Sequence, residues 1–430
     1  MSTPTTGSSA EASPTPPSED HAEEQTKHGP SGQGALLRQV ASSPAVVGLL
    51  AVLTALILSS ILILAADSEV RYTATYLLNR PGDFLHATAS TLSEAYSSLL
   101  RGAVFDWRAT TGVRMIRPIT DTLTNATPLI IAGLGMAVAF RAGLFNIGGQ
   151  GQMILGAITA CYVGIAWNLP PVAHLLVAVI GAALGGLVWG GIAGVLKART
   201  GANEVIVTIM LNSIAAHLLS QVLSLKAFNG EGETGNRKSL TVADTAQYPS
   251  LAGDSFRLHA GFLLALLVAV AVWWLMERSR LGFQLRATGL NADAARTAGM
   301  SVPWVTSLVM MISGALCGLA ATAPVLGTQK SMDESVVGTI GFDAITVALL
   351  GRSRPLGTVL AGLLFGALRA GGTAMQAAPG THIKIVLVLQ STIVLFIAAP
   401  PLIRAIFRLP ERREPLGATS PSPASVPAAA

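Results

Sequence analysis

Apolar residues in this chain come in blocks of about twenty, parted by short polar connections, the spacing of helices that cross a bilayer. Ten candidate spans lie near 45–66, 118–140, 147–168, 172–196, 203–225, 259–277, 302–323, 341–352, 356–374 and 383–403. The eighth is too short for a hydrocarbon core roughly 30 Å thick, so it is expected to be re-entrant or to extend back over Val336 to Ile340. Between the first two spans, Asp83 to Phe105 alternates apolar and polar positions at helical spacing. That segment fits a helix on the membrane surface or a packed extracellular cap.

The ends differ in kind. The first 34 residues are rich in Ser, Thr, Pro, Gly and Glu, and the segment after Pro410 reads ERREPLGATSPSPASVPAAA. Neither carries enough apolar surface to offset the entropy of ordering. The chain therefore divides into a disordered cytoplasmic tail over 1–40, a membrane domain over 41–405 and a second disordered cytoplasmic tail over 406–430. The polar leader is too long for a secretory signal, which makes 45–66 an uncleaved anchor.

Composition fits this division: 51% of residues are hydrophobic and 12% are charged, about half the charged share of a soluble domain. The expected fold is all-α and polytopic, with about ten transmembrane helices including broken or re-entrant segments. The net charge of +5 comes from cations scattered through short loops, which argues for topology rather than nucleic acid. With the N-terminus inside, the cytoplasmic connections hold Arg141, Lys197, Arg199, Arg278, Arg280, Arg286, Arg296, Arg352 and Arg354. Six arginines in the long outer segment from Asp67 to Arg117 run against the rule, though long translocated loops count for less. Gly181/Gly185, Gly186/Gly190/Gly194, Gly314/Gly318 and Gly362/Gly366 sit at i, i+4, where small residues let helix backbones approach. Cys161 and Cys317 lie in apolar runs, so neither a disulfide framework nor a metal site is expected.

Three stretches carry candidate function. Gly143-Leu-Phe-Asn-Ile-Gly-Gly-Gln-Gly-Gln152 places Asn146, Gln150 and Gln152 among helix-breaking glycines. It reads either as a discontinuous helix on a transport route or as a plain turn between helices. In the second stretch, Thr200-Gly-Ala-Asn-Glu204, the residues Glu204, Thr208 and Asn212 share a helix face. Glu204 is either a cavity group or a helix-start carboxylate favoured by the dipole, and Asn212 lies deeper. Asp121, Asn125 and Asp343 are caps or cavity groups. His174 and His217 are expected inside the bundle with satisfied partners. The third stretch, Ser279 to Gly299, fits a short helix over 291–298 between Gly289 and Gly299, suited to docking in a groove of another protein or simply solvated.

No Gly-Lys dipeptide, Gly-x-Ser-x-Gly or His-Glu-x-x-His occurs, so the chain has no P-loop and no hydrolase or zincin signature. Gly230-Glu-Gly-Glu-Thr-Gly235 matches a dinucleotide pattern in form only, having no strand before it. Energy from ATP must come from another chain, and no cofactor is implied.

Together these motifs resemble the permease subunits of bacterial ATP-binding cassette importers for nucleosides, simple sugars and branched-chain amino acids. The likeness runs from about Ala45 to Arg404 and is nearest to the nucleoside or simple-sugar branch. Gly143 to Gln152 matches its Gly-Leu-Phe-Asn-Ile-Gly-x-x-Gly-Gln segment and Ala202 to Val205 its Ala-Asn-Glu-Val. Gly289 to Gly299 matches its Gly-x-Asn-x-x-Ala-Ala-x-x-x-Gly loop, and Gly341 to Ile345 its Gly-Phe-Asp-Ala-Ile. Relatives often carry Glu where this chain has Gln150. The resemblance implies a partner ATPase docking on Gly289, Asn291, Ala294, Ala295 and Gly299. It also implies an extracytoplasmic solute-binding protein, a second permease chain and a bacterial inner-membrane location with both termini cytoplasmic. Asn146, Gln150, Gln152, Glu204 and Asn212 become the candidates that line the solute route, and their neutral polarity suits nucleosides. Two rival classes keep distinct signatures: an ion-coupled transporter using Asp121, Glu204 and Asp343, and an intramembrane hydrolase using His217 with a serine.

Overall fold

The computed structural model describes residues 44–229, 237–253 and 255–377, with 391–392, 395–396, 402 and 405–408. The expected tails and the tenth span at 383–403 fall outside the described residues, apart from those last few positions.

The chain opens with α1 (Pro44–Ala66) and α2 (Ser68–Ala74), which meet at an angle of 78°. Asp67 makes the break: its carboxylate accepts from the Glu69 and Val70 amides, both at 2.9 Å, and so starts a new helix. The amphipathic segment forms α3 (Pro81–Ala103), with Pro81 in the first turn where its missing N–H costs nothing. It packs along α14 (Pro355–Ala377) and touches α4 (Gly112–Arg141), so it is a packed helix of the bundle.

The centre of the fold is α4. Leu129, Ile130, Ile131, Leu134 and Met136 are fully buried, because α4 is surrounded by α9 (Gly261–Arg278), α12 (Val302–Ala320), α13 (Ile340–Leu350) and α14. On the far side of α12 stand α5 (Gly149–Ala166) and α6 (Pro171–Thr200), with α7 (Glu204–Leu223) packed on both, followed by the short α8 (Lys226–Asn229). The cytoplasmic-type loop of the sequence becomes α10 (Arg280–Leu290) and α11 (Ala292–Thr297).

The closest helix pair is α6 against α12, and glycine permits it. A Cβ on Gly186 would stand 2.7 Å from the Gly318 Cα, and one on Gly190 3.0 Å from the Gly314 Cα. Gly362 and Gly366 do the same for α14 on α4, where a Cβ on Gly366 would meet the Ala126 nitrogen at 2.8 Å. The small-residue stripes of α6 and α12 therefore face each other, while those of Gly181/Gly185 and Gly362/Gly366 seat α5 and α4.

Six helices are long and apolar enough to cross a membrane among the described residues, or seven if α1 and α2 count as one bent span. The tenth expected span lies outside the described residues, and the expectation allowed broken or re-entrant segments among the rest. Helices do form at nine of the expected positions, but α5 carries Gln150 and Gln152 in its first turn and α13 has only 11 residues. Apolar side chains such as Ile206, Met210 and Ile214 on α7 lie exposed, a surface suited to lipid or another membrane helix. No strand occurs among the described residues, only two isolated bridges, Lys238 with Asp333 and Ser250 with His259. The all-α polytopic fold is the one observed.

Beyond α12 the chain widens into a turn over Ala323–Thr328, where the Gln329 amide donates to the Pro324 carbonyl five residues back at 2.8 Å. The segment 237–260 caps this turn: Tyr248 donates through its amide to the Leu326 carbonyl at 3.0 Å, and its hydroxyl meets Thr322 Oγ1 at 2.8 Å.

Candidate functional site

The Gly143–Gln152 stretch is a connection that dips into the bundle between α4 and α5. Gly143 reverses the chain with φ +72°, and Asn146 is then completely buried. Its Oδ1 accepts from the Gly148 amide at 2.9 Å and from Gln152 Nε2 at 3.1 Å. Its Nδ2 donates to Gln152 Oε1 at 3.0 Å and to Ser313 Oγ on α12 at 2.8 Å. From α7, Asn212 accepts from the Gly151 amide at 2.8 Å and donates to the Ile147 carbonyl at 2.9 Å. The first turn of any helix leaves amides without partners, and here side chains from distant helices supply them. Asn146, Gln152 and Asn212 thus form one amide clasp that closes the loop.

Gln150 and Glu204 stand beside the clasp rather than in it. Gln150 donates to the Gly338 carbonyl at 2.7 Å, tying α5 to the segment before α13. Glu204 opens α7 and meets Lys197 Nζ of α6 at 2.9 Å across the Gly201 turn. The other carboxylates named as ion-coupling candidates are also near cations: Asp121 Oδ2 lies 3.7 Å from Arg117, and Asp343 pairs with Arg369, which also donates to Thr339.

The loop after α9 has its own architecture. Ser279 Oγ caps α10 by accepting from the Gly282 amide at 2.9 Å. Asn291 caps α11 by accepting from Asp293 and Ala294 at 3.0 and 2.9 Å, and Gly299 ends it with φ +81°. The expected helix over 291–298 is α11, with Asn291 as its cap. Ala294 is exposed, whereas Ala295 is 3% exposed and turns inward. Gly289 lies on the end of α4, where a Cβ would stand 2.8 Å from the Ala142 carbonyl carbon. Glu277 adds a second tie, reaching Arg141 at 3.7 Å and Arg286 at 3.9 Å. The ends of α9 and α10 are thereby tied to the end of α4.

At the other end of α4 lie two polar cavities. The larger, about 760 Å³, is lined by Arg101, Arg108, Arg114, Arg117, Arg257, Glu94, Asp106 and Asp121 among others. The smaller, about 260 Å³, is lined by Asp121, Asn125, Arg257, Gln329, Gly338 and Arg369 among others. None of Asn146, Gln150, Gln152, Glu204 or Asn212 lines either one. Asp121 and Asn125 are cavity groups, the second of the two roles open to them.

His174 is buried as expected, bonded to Thr245 Oγ1 at 2.7 Å and the Val163 carbonyl at 3.0 Å. His217, expected inside the bundle, is instead exposed on α7, because it lies away from the face that carries Asn212 and Ala215. Both cysteines are buried. Ser313, Arg257 and Gln329 escaped the sequence reading. Each gains its place only through a neighbour far along the chain, and no local motif marks it.

A helical bundle with apolar outer surfaces, long apolar helices, a loop closed by buried amides and polar cavities is that of a multi-pass membrane protein. The family described as branched-chain amino acid transport system / permease component matches residues 119–398, and this chain belongs to it. The chain is 40% identical over 289 residues to the guanosine ABC transporter permease protein NupP of Bacillus subtilis, covering 67% of this chain and 83% of that one. It is 37% identical to the glucose ABC transporter permease protein TsgB13 of Haloferax volcanii, over 65% of this chain and 75% of the relative. With the nucleoside ABC transporter permease protein NupB of Lactococcus lactis it shares 35% identity, over 66% and 79%. The protein is the membrane-spanning permease subunit of an ATP-binding cassette importer.

Proposed function

We propose that this permease imports nucleosides, driven by a separate ATPase that docks on α11. The observation that carries the solute is the 40% identity to a guanosine permease, supported by the nucleoside permease at 35%. The glucose permease at 37% keeps a sugar as the second reading.

ATP binding on the partner closes its subunits on the exposed face of α11, presented by Asn291 and Ala294. Gly289 and Glu277 hand that movement to α4. A solute-binding protein delivers the nucleoside at the opposite face, and a second permease chain, identical or similar, completes the channel. Both termini and the α10–α11 loop lie on the cytoplasmic side. In the conformation described, the clasp of Asn146, Gln152 and Asn212, flanked by Gln150 and Glu204, is the closed seal of the route. Alternating access opens it and turns these side chains towards solute.

The test is uptake by the purified permease reconstituted with its ATPase and binding protein. ATP-dependent accumulation of labelled guanosine, competed by other nucleosides and not by glucose, is expected. Uptake of glucose alone would transfer the assignment to sugars. Accumulation driven by an ion gradient without ATP would end the importer reading.

A further inference from the structure

The amide clasp satisfies itself, so the polar groups free to hold a ligand must be sought elsewhere. They gather at the neck between the two cavities, because Asp121, Asn125 and Arg257 line both. Asp121 sits in the tenth position of α4, about 14 Å along the helix from its first residue. A carboxylate within a membrane-spanning helix is costly unless it faces a cavity and finds partners. Its Oδ1 is buried without a hydrogen-bond partner. Its Oδ2 lies 3.7 Å from Arg117 Nε, beyond hydrogen-bond length.

The neighbours define what would fit. Asn125 donates through Nδ2 to the Asp121 backbone carbonyl at 2.9 Å, which fixes the side chain and leaves Oδ1 as an acceptor. Gln329 enters the smaller cavity from the widened turn, with no side-chain hydrogen bond of its own among the described residues. Arg369 is committed to Asp343 and Thr339. The inner cavity therefore offers a carboxylate and neutral amides, with Arg257 at the neck balancing charge. Its volume of about 260 Å³ suits one small solute, not a peptide. An ionised carboxylate is an acceptor only, with two oxygens that can take two hydroxyl donors at once.

We propose that the neck lined by Asp121, Asn125 and Arg257, with Gln329 in the smaller cavity beside it, is a solute-holding station, where Asp121 accepts hydrogen bonds from adjacent hydroxyls of a neutral, hydroxyl-rich solute. This rests on the importer reading above and names the group by which the permease itself would recognise a sugar ring. The larger, arginine-rich cavity shares Asp121, Asn125 and Arg257 with it, and Gly338, which lines the smaller cavity, is the residue whose carbonyl Gln150 holds.

The experiment uses the reconstituted importer and compares uptake of a ribonucleoside with that of its 2′,3′-dideoxy analogue. A site built to bond hydroxyls rejects an analogue that lacks them, so the wild type should prefer the ribonucleoside by about 10- to 100-fold. Asp121→Ala should lower ribonucleoside uptake and bring the ratio near one, and Asp121→Asn should fall between the two. Gel filtration of each variant complex checks assembly, and the nearly isosteric Asp121→Asn carries the test if the alanine variant fails to assemble. A ratio unchanged in an assembled Asp121 variant would overturn the proposal. Absence of ATP-driven uptake in the wild type would instead strike the importer reading, so the two failures are separable.

Discussion

Asn212 offers a sharp test of whether the buried amides hold the loop together or only touch solute. Asn212→Leu keeps the approximate volume but removes both bonds, leaving the Gly151 amide and the Ile147 carbonyl without partners. The residue is 8% exposed, so water does not readily replace what is lost. Each buried polar group left unmatched costs about 1–3 kcal/mol, which places the loss at roughly 2–6 kcal/mol for the pair. Asn212→Asp should be no better, because its carboxylate still accepts from Gly151 but faces the Ile147 carbonyl with a like partial charge. The assay is thermal unfolding of the detergent-purified protein, followed by loss of the monodisperse gel-filtration peak. Both variants should unfold well below the wild type. If Asn212→Leu unfolds at the wild-type temperature while the solute KM changes, the clasp is not structural and Asn212 only lines the route.

Two further outcomes can be measured. Ala294→Glu places a charge on the exposed face of α11 and should abolish ATP-driven uptake while the protein still inserts and purifies normally. Ala295→Glu, by contrast, buries the charge and should impair folding, so equal effects of the two would count against the docking face. His259, in the loop ahead of α9, is 4% exposed, and burial with Arg257 nearby pushes its pKa down from 6.5 to about 4. The unfolded chain therefore binds this proton more readily, so stability is complete above pH 6.5 and falls as pH drops towards 4, by about 3 kcal/mol in all. Unfolding midpoints measured across that range should flatten in His259→Phe, which keeps the stack on Tyr248 (5.3 Å between rings). A wild-type slope persisting in the variant would refute this origin.

The spans were legible where local pattern decides them. Apolar blocks gave helices at nine expected positions, and the glycine pairs marked the faces that meet in α6, α12 and α14. The cap at Asn291 and the turn at Gly299 were readable because capping is a matter of a few adjacent residues. How far each helix reaches was less legible, since α13 has only 11 residues and α5 begins with Gln150 and Gln152. Their polar ends are matched by partners the pattern does not reveal.

The sequence by itself determined that this is a bundle of membrane helices and where its capped and glycine-bounded loops begin and end. Helix formation and apolar length depend on neighbours within a few turns. Only the tertiary structure decided what the polar residues do. Asn212 meets Gly151 across 61 positions, Asn146 meets Ser313 across 167, and Gln150 meets Gly338 across 188. A buried amide closes a loop or lines a path according to which partner the fold brings within 3 Å. That choice also set Asp121 apart, since its free oxygen becomes meaningful only once α4 and the widened turn enclose a cavity around it.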